Sequence, residues 1–187
     1  FISANNIVGK RKTRFSVVRY GNVFNSRGSV FPIFEKLINN KAKYLPITDK
    51  RMTRFILTIE EGVDFVINAF DKMWGGEIFI PKIPSIKVVD LAKAMGPNLP
   101  IKEIGIRPGE KLHETLSPLD DAHLVLEFKN HYLITPSITF NDLTKSYLKN
   151  KKKEIGKKVK ASFEYNSKLN KFLSLDEIKK VIKKHKK

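Results

Sequence analysis

Arg107 and Glu110 are the residues of this chain whose types and spacing point most directly to chemistry. They flank a Pro-Gly turn in the run I-R-P-G-E-K-L-H-E, residues 106–114. A guanidinium group can donate two parallel hydrogen bonds to a diphosphate, and an ionised glutamate can accept hydrogen bonds from ribose hydroxyls. The pattern therefore indicates a nucleotide-binding turn. Without further support, a surface turn with a single ion pair is the simpler interpretation of the same residues.

A strand is needed to present such a turn. Residues 101–106 alternate apolar and polar side chains, which predicts a strand that ends directly before Arg107. A second ligand turn is predicted after residues 13–20, where a buried strand ends at Gly21. Asn22 then lies just beyond the carboxyl end of this strand, where open α/β sheets bind their ligands.

Six further motifs accompany residues 106–114 and resemble one enzyme family in the same order. The resemblance is to the inverting UDP-N-acetylglucosamine 4,6-dehydratases, a group within the extended short-chain dehydrogenase/reductases. The sequence motifs of the retaining, often membrane-anchored dehydratases are less similar to those of this chain. The motifs are V-V-R-Y-G-N-V (17–23), S-R-G-S-V (26–30), L-P-I-T-D-K-R-M-T-R-F (45–55), G-V-D-F-V (62–66), G-G-E-I-F-I-P-K-I-P-S (75–85) and F-E-Y-N-S (163–167).

The resemblance assigns roles to ten residues. Five are expected to contact the UDP-sugar: Asn22, Val30, Thr48, Arg107 and Glu110. Five are expected to line the nicotinamide side of an NADP site: Val23, Phe24, Asn25, Ser26 and Arg27. For Thr48, a purely structural role as a β-branched strand residue is an open alternative. Arg51 and Arg54 are conceivable phosphate partners, although structural roles suit them better.

Two of these residues depart from the family pattern. Phe24 and Asn25 stand where the family usually has Val and Gly. Asparagine tolerates a positive φ better than most residues, so the turn can survive the second change. A bulkier Phe24 beside the cofactor leaves the detailed shape of the cavity open.

The catalytic residues of the family are expected upstream of Phe1, so none is assigned within this chain. No G-x-G-x-x-G phosphate loop is present, and the opening run, residues 1–6, resembles the end of the helix that carries the family's Tyr-x-x-x-Lys pair. Tyr147 and Lys151 have that spacing, but they lie in a lysine-rich stretch after the substrate motifs, which favours coincidence. The four histidines show neither metal-ligand spacing nor a triad partner, so no metal site is predicted.

The implied activity is an NADP-dependent, C5-inverting sugar-nucleotide dehydratase (a lyase) in the synthesis of pseudaminic-acid-type glycans. This chain would supply UDP-N-acetylglucosamine binding, and alone it would be inactive and fold poorly. The full-length enzyme is expected to be cytoplasmic and homo-oligomeric. Two alternatives are a non-catalytic sugar-nucleotide-binding module and a retaining dehydratase or epimerase relative.

The amino-acid composition limits the classes of function and binding partner that remain. The net charge is +17, but residues 143–187 hold 16 of the 29 lysines, which indicates a solvated Lys-rich tail rather than a nucleic-acid surface. Lysine outnumbers arginine and no aromatic residues interleave the charges, unlike base-stacking surfaces. A weak, salt-sensitive nucleic-acid binder is the third alternative. The chain has no cysteine and no apolar run of about 18 residues, so neither disulfides nor a membrane partner is expected.

The periodicity predicts an α/β fold: the C-terminal part of an NAD(P)-binding Rossmann fold plus the small α/β substrate domain of an extended short-chain dehydrogenase/reductase. Helices are predicted at 30–39 and 88–95, with a third after a Thr58–Glu61 capping box. This third helix is expected to bury Val63, Val66, Ile67 and Phe70. The predicted regions are 1–30 (end of the Rossmann domain), 31–142 (substrate region, with 58–81 returning to the Rossmann sheet) and 143–187 (the tail).

Overall fold

The computed structural model of the chain describes residues 1–9, 11–137 and 146–185. It divides into two compact units. Unit 1 comprises Phe1–Tyr20, Glu60–Lys82 and Leu116–Tyr165, and unit 2 comprises Gly21–Ile59, Ile83–Thr115 and Asn166–Lys187. The predicted boundary between residues 142 and 143 lies outside the described residues.

The secondary structure alternates short strands and helices along the chain. The helices are α1 (Val30–Asn39), α2 (Ile59–Lys72), α3 (Val88–Met95) and α4 (Leu175–His185), with 3-10 turns at Ile2–Asn6 and Leu119–Leu124. The strands are β1 (Val17–Val18), β2 (Asn22–Val23), β3 (Leu45–Ile47), β4 (Thr53–Leu57), β5 (Ile78–Pro81), β6 (Ser85–Lys87), β7 (Ile101–Glu103), β8 (Thr115–Ser117), β9 (Val125–Glu127), β10 (His131–Ile134), β11 (Lys157–Lys158) and β12 (Tyr165–Asn166).

The helix bounds predicted at 30–39 and 88–95 are confirmed, whereas the strands are shorter than predicted. The strand predicted at 13–20 is reduced to Val17–Val18, and that predicted at 101–106 ends at Glu103. Helices are defined by local i to i−4 hydrogen bonds, so their periodicity is readable from sequence. A strand ends where its neighbour stops pairing, which no local pattern encodes.

Unit 1 is built on a five-stranded sheet in the order β1-β5-β10-β9-β11. β1 pairs with β5 in parallel, and the remaining pairs are antiparallel. One side of α2 packs on this sheet, where Ala69 and Met73 join Phe79, Phe128 and Leu133 in a buried cluster.

The prediction for the apolar face of α2 is wrong. Val63, Val66, Ile67 and Phe70 follow the i, i+3, i+4, i+7 spacing of one helical face, but each has 44–72% of its surface accessible. The residues that α2 does bury, Gly62 and Ala69, lie on another face. The helix thus has two apolar faces, and hydrophobic spacing alone does not distinguish which of them contacts the sheet.

Unit 2 contains a three-stranded sheet, β2-β4-β6, and a parallel pair, β3-β7. Its core collects buried side chains from α1, α3 and α4, including Phe31, Phe34, Leu91 and Ile178. Leu37 and Ile38 pack against the same cluster, so the apolar face predicted for α1 is confirmed.

The described part of residues 143–187 is folded rather than a solvated tail. Ile178 and Ile182 of α4 are buried in the core of unit 2, and Tyr165 is buried as well. The lysines of α4 alternate with these isoleucines at helical spacing, so the helix is amphipathic. Its charge belongs to the exposed face of a structural element.

Candidate functional site

A cavity of about 440 Å³ lies within unit 2. Its walls come from β2 and the turn after it, the first turns of α1, the end of β3, strand β4 and the loop after β7. All ten predicted site residues line this cavity: Asn22, Val23, Phe24, Asn25, Ser26, Arg27, Val30, Thr48, Arg107 and Glu110. Residues separated by up to 88 positions in sequence are therefore gathered around one space.

The turn after β2 is set by close backbone packing. A Cβ atom at Gly21 would lie 2.3 Å from Phe55 Cβ, so only glycine lets β2 approach β4 this closely. The amide of Phe24 donates to the Leu57 carbonyl at 2.7 Å. Asn25 has φ +59°, which confirms that asparagine accommodates the left-handed conformation of the turn.

Phe24 is turned mostly into the core of unit 2. Its ring is buried, and its centroid lies 4.3 Å from that of Phe31. The extra volume relative to valine is therefore taken up largely by contact with α1, although part of the side chain lines the cavity.

The start of α1 presents unsatisfied polar groups to the cavity. Ser29 is the N-cap residue, and its side chain makes no capping hydrogen bond. Within the described residues, its buried Oγ has no hydrogen-bond partner. The first amides of a helix also lack intrahelical acceptors and favour anions. This wall is chemically suited to a polar or anionic ligand group.

Thr48 is nearly buried at the end of β3, and its hydroxyl lies 3.1 Å from Met52 Sδ. This weak partner leaves the hydroxyl available to a ligand, while the buried setting also suits a structural residue. The neighbouring Arg51 does not line the cavity. Its guanidinium donates to Asp49 at 2.7 and 3.0 Å, and these hydrogen bonds lower the pKa of Asp49 to about 2.

Arg107 and Glu110 form the predicted turn. The Glu110 amide donates to the Arg107 carbonyl at 3.0 Å, and the Arg107 amide donates to Glu110 Oε2 at 3.3 Å. Gly109 has φ +80°, so the third position of the turn requires glycine. The Arg107 side chain is exposed at the cavity wall.

Arg54 is a site residue whose importance the sequence left undecided. It lines the cavity, and its guanidinium lies between Glu110 (3.8 Å) and Glu114 (3.7 Å). It also donates to the carbonyl oxygens of Thr53 and Leu112. Its position in the motif R-M-T-R-F marked Arg54 as a candidate. Which of the two arginines faces the cavity, however, depends on the register of β4.

The Tyr-x-x-x-Lys spacing at Tyr147 has structural partners in unit 1. The Tyr147 hydroxyl donates to the Gly75 carbonyl at 2.8 Å, and Lys151 Nζ lies 5.3 Å from the Trp74 ring centroid. No group of three or more acidic or histidine residues in the described ranges could hold a metal ion.

Residues 1–136 match the family described as polysaccharide biosynthesis protein. The chain belongs to this family. The expected fold class is also confirmed. The chain is α/β with parallel strand pairs, and its fold is of the Rossmann-like short-chain dehydrogenase/reductase type.

Two curated relatives illustrate the family's range. The chain is 58% identical over 167 residues to a UDP-N-acetylglucosamine 4,6-dehydratase (inverting) of Campylobacter jejuni serotype O:2, covering 89% of this chain and 50% of that protein. It is 35% identical over 175 residues to a UDP-glucose 4-epimerase of Rickettsia akari, with 91% and 50% coverage. The chain thus spans about half the length of the curated relatives it matches.

A solved structure of similar fold is the X-ray structure of Pen from Bacillus thuringiensis. The two share 31% identity with a TM-score of 0.79, covering 98% of this chain and 53% of the other. Among the described residues, no helix has the length and apolarity needed to cross a membrane.

Proposed function

We propose that this chain forms the UDP-sugar-binding part of an NADP-dependent, C5-inverting UDP-N-acetylglucosamine 4,6-dehydratase that serves pseudaminic-acid-type glycan synthesis. The observation that carries the proposal is the convergence of all ten predicted contact residues on one cavity. The 58% identity to the Campylobacter enzyme supports the same reaction.

The chemistry of the walls suits a sugar nucleotide. Arg107 offers a planar donor fork to the diphosphate, and Glu110 offers acceptors to the ribose hydroxyls. Asn22 and Thr48 provide amide and hydroxyl groups for the sugar. The apolar side chains of Val30 and Ile47 complete the cavity and exclude water around the ring.

The cofactor is proposed to lie along Val23, Phe24, Asn25, Ser26 and Arg27. The residues present fit such a group, because the buried Ser29 hydroxyl beside this turn lacks a partner within the described residues and a polar ligand would satisfy it. A bound nicotinamide supplies a hydride acceptor and donor. The residues of this chain would orient the ligands against each other, and the acid–base residues are proposed to lie outside it.

Arg107→Ala tests the UDP assignment. In the natural full-length protein, the substitution should weaken UDP-N-acetylglucosamine binding by about tenfold or more, since a charge-assisted hydrogen bond contributes roughly 1.5–3 kcal/mol. NADP affinity should remain nearly unchanged. Lys111→Ala, which removes an exposed cation four residues away, is the matched control. Calorimetry showing equal loss of both affinities with the fold intact would contradict the assigned role.

The similarity to a UDP-glucose 4-epimerase favours a second candidate, a retaining or epimerising relative. Product analysis by NMR separates them, because only the inverting dehydratase yields a 4-keto-6-deoxy sugar inverted at carbon 5. Sequencing the DNA upstream of the Phe1 codon tests the module alternative. An open frame through Tyr-x-x-x-Lys and G-x-G-x-x-G supports the dehydratase, whereas a local start codon supports a binding module.

The whole protein is further proposed to act in the cytoplasm as a homo-oligomer. Sedimentation of the full-length protein and cell fractionation test these two statements.

A further inference from the structure

The loop at 106–114 is fastened to strand β4 at its far end. The carbonyl oxygen of Leu112 accepts hydrogen bonds from the Thr53 amide at 3.1 Å and from Arg54 Nη1 at 3.2 Å. The loop's turn is therefore anchored by a strand that also lines the cavity.

A buried hydroxyl network adds a second attachment. The Glu114 amide donates to Ser167 Oγ at 2.9 Å, and the Ser167 amide donates to the Glu114 carbonyl at 2.8 Å. Ser167 is fully buried, and its hydroxyl lies 2.7 Å from Thr53 Oγ1. Thr53 Oγ1 in turn lies 2.8 Å from His113 Nδ1. The backbone of Glu114 is thus fixed from two directions.

The Glu114 carboxylate connects the 106–114 loop to strand β4. Its Oε2 accepts from the Phe55 amide at 3.0 Å, and its Oε1 lies 3.7 Å from Arg54 Nε. Asn22, which pairs with β4 and lines the cavity, lies close enough for its side chain to lower the pKa of Glu114.

We propose that Glu114 is a positioning residue for the nucleotide-sugar site: its carboxylate joins the 106–114 loop to β4 through the Phe55 amide and Arg54. Arg54 also pairs with Glu110, which is a predicted ligand contact. By holding Arg54, Glu114 therefore helps to orient Glu110. Glu114 acts through these residues and does not line the cavity itself. The proposal rests on the proposed function for the identity of the ligand.

The charge on Glu114 is what the connection requires. Burial raises the pKa of Glu114, while the Phe55 amide, Arg54 and Asn22 oppose this rise. The other charged groups nearby are Glu110, which shares Arg54, and His113, whose pKa is lowered mainly by burial. As the pH falls through the raised pKa, protonation cancels the attraction to Arg54 and weakens the carboxylate as an acceptor for the Phe55 amide.

The first test is the pH dependence of UDP-N-acetylglucosamine binding by the natural full-length protein. Affinity should fall by about tenfold as the pH falls through the raised pKa of Glu114, the size expected for losing one charge-assisted hydrogen bond. The diphosphate diester of the ligand does not titrate in this range. Glu114→Gln should bind at neutral pH as weakly as the wild type does in acid, with a flat profile, which also separates Glu114 from His113.

The matched control is Glu103→Gln. Glu103 is the last residue of β7, shortly before the same loop, and its side chain forms an exposed ion pair with Lys50 at 4.0 Å. This variant should keep both the affinity and the pH profile of the wild type. A Glu114→Gln profile that still falls in acid like that of the wild type would overturn the proposal.

Amide hydrogen exchange without ligand provides an independent readout. In Glu114→Gln, exchange at residues 106–112 should rise relative to Glu103→Gln, and unchanged exchange would also overturn the proposal. If the wild type binds no sugar nucleotide but exchange rises as expected, the proposed function fails while the role of Glu114 in ordering the 106–114 loop stands.

Discussion

Arg54 shows why the type of cation matters at this site. Its guanidinium reaches two backbone carbonyls and lies between two carboxylates, with only a small part of the side chain exposed. A lysine carries one compact charge and could not present donors in these several fixed directions. Arg51, three residues earlier, is largely exposed, and its hydrogen bonds to Asp49 lie within its own turn.

His131 is a second residue whose surroundings determine its chemistry. Its imidazole is 2% exposed and stacks on Phe128 with ring centroids 4.7 Å apart. Within the described residues, its Nε2 has no hydrogen-bond partner. Burial lowers the pKa of His131 to about 4, with Lys72 and Lys82 acting in the same direction and Glu154 against it.

The His131 shift predicts acid sensitivity of unit 1. Because the folded pKa is below the ordinary value of 6.5, the unfolded chain binds a proton first, so stability is lost as the pH falls from about 6.5 to 4. The full effect is roughly 3 kcal/mol of unfolding free energy. Urea unfolding followed by Trp74 fluorescence should show a flatter pH dependence for His131→Phe. His123→Gln, which removes an exposed histidine, should retain the wild-type slope.

At the scale of elements, backbone contact between strands positions the ligand turn. β2 contributes only two residues, yet it pairs in parallel with β4 and leads directly into the cavity wall. Gly21 permits this approach because any Cβ would overlap the Phe55 side chain and backbone. The turn therefore depends on a residue that has no side chain.

Gly21→Ala should be strongly destabilising. The overlap at 2.3 Å involves Phe55 Cβ, which cannot move without shifting β4, so we expect a loss of about 2–3 kcal/mol or more in unfolding free energy. Gly96→Ala is the comparison, because its nearest neighbours are flexible leucine methyl groups at 3.0 and 3.2 Å. Chemical unfolding monitored by circular dichroism should give a clearly lower unfolding free energy for Gly21→Ala than for Gly96→Ala. Equal losses would contradict the conclusion that the approach of β2 to β4 requires glycine at position 21.

The helices differ in how far their own sequences determine packing. α1 and α3 each have one apolar face, and both helices follow the predicted bounds. α2 has two apolar faces, and only tertiary packing selects the one that carries Ala69. The sequence did not indicate that α4 is a core helix, because its buried residues Ile178 and Ile182 stand among many charged residues.

At the scale of the whole molecule, the exposed face of α2 is an apolar surface on a strongly basic chain. Val63, Val66, Ile67 and Phe70 lie side by side on it. A contiguous apolar patch of this kind marks an interaction surface or a source of aggregation. The high net charge opposes non-specific association between copies of the chain. The patch should therefore mediate association only with a surface that is itself apolar.

Replacing Ile67 and Phe70 by serine should reduce self-association of the chain. Because both side chains are exposed, the unfolding free energy should change by no more than about 0.5 kcal/mol. Phe65→Ser, on the packed side of the same helix, should instead destabilise unit 1. Sedimentation velocity and Trp74 fluorescence measure the two effects. Unaltered sedimentation of the double variant would show that this face does not mediate association.

The sequence by itself determined the fold class, the bounds of α1 and α3, and ten of the residues that line the cavity. These features follow from local periodicity, from turn chemistry such as Asn25 and Gly109, and from motifs that keep their order along the chain. Tertiary structure alone decided which face of α2 is buried, that α4 belongs to a core, and that Arg54, Glu114 and Ser167 connect the 106–114 loop to β4. The physical reason is that burial and non-local hydrogen bonds depend on partners distant in sequence, whereas periodicity and turns are properties of neighbouring residues.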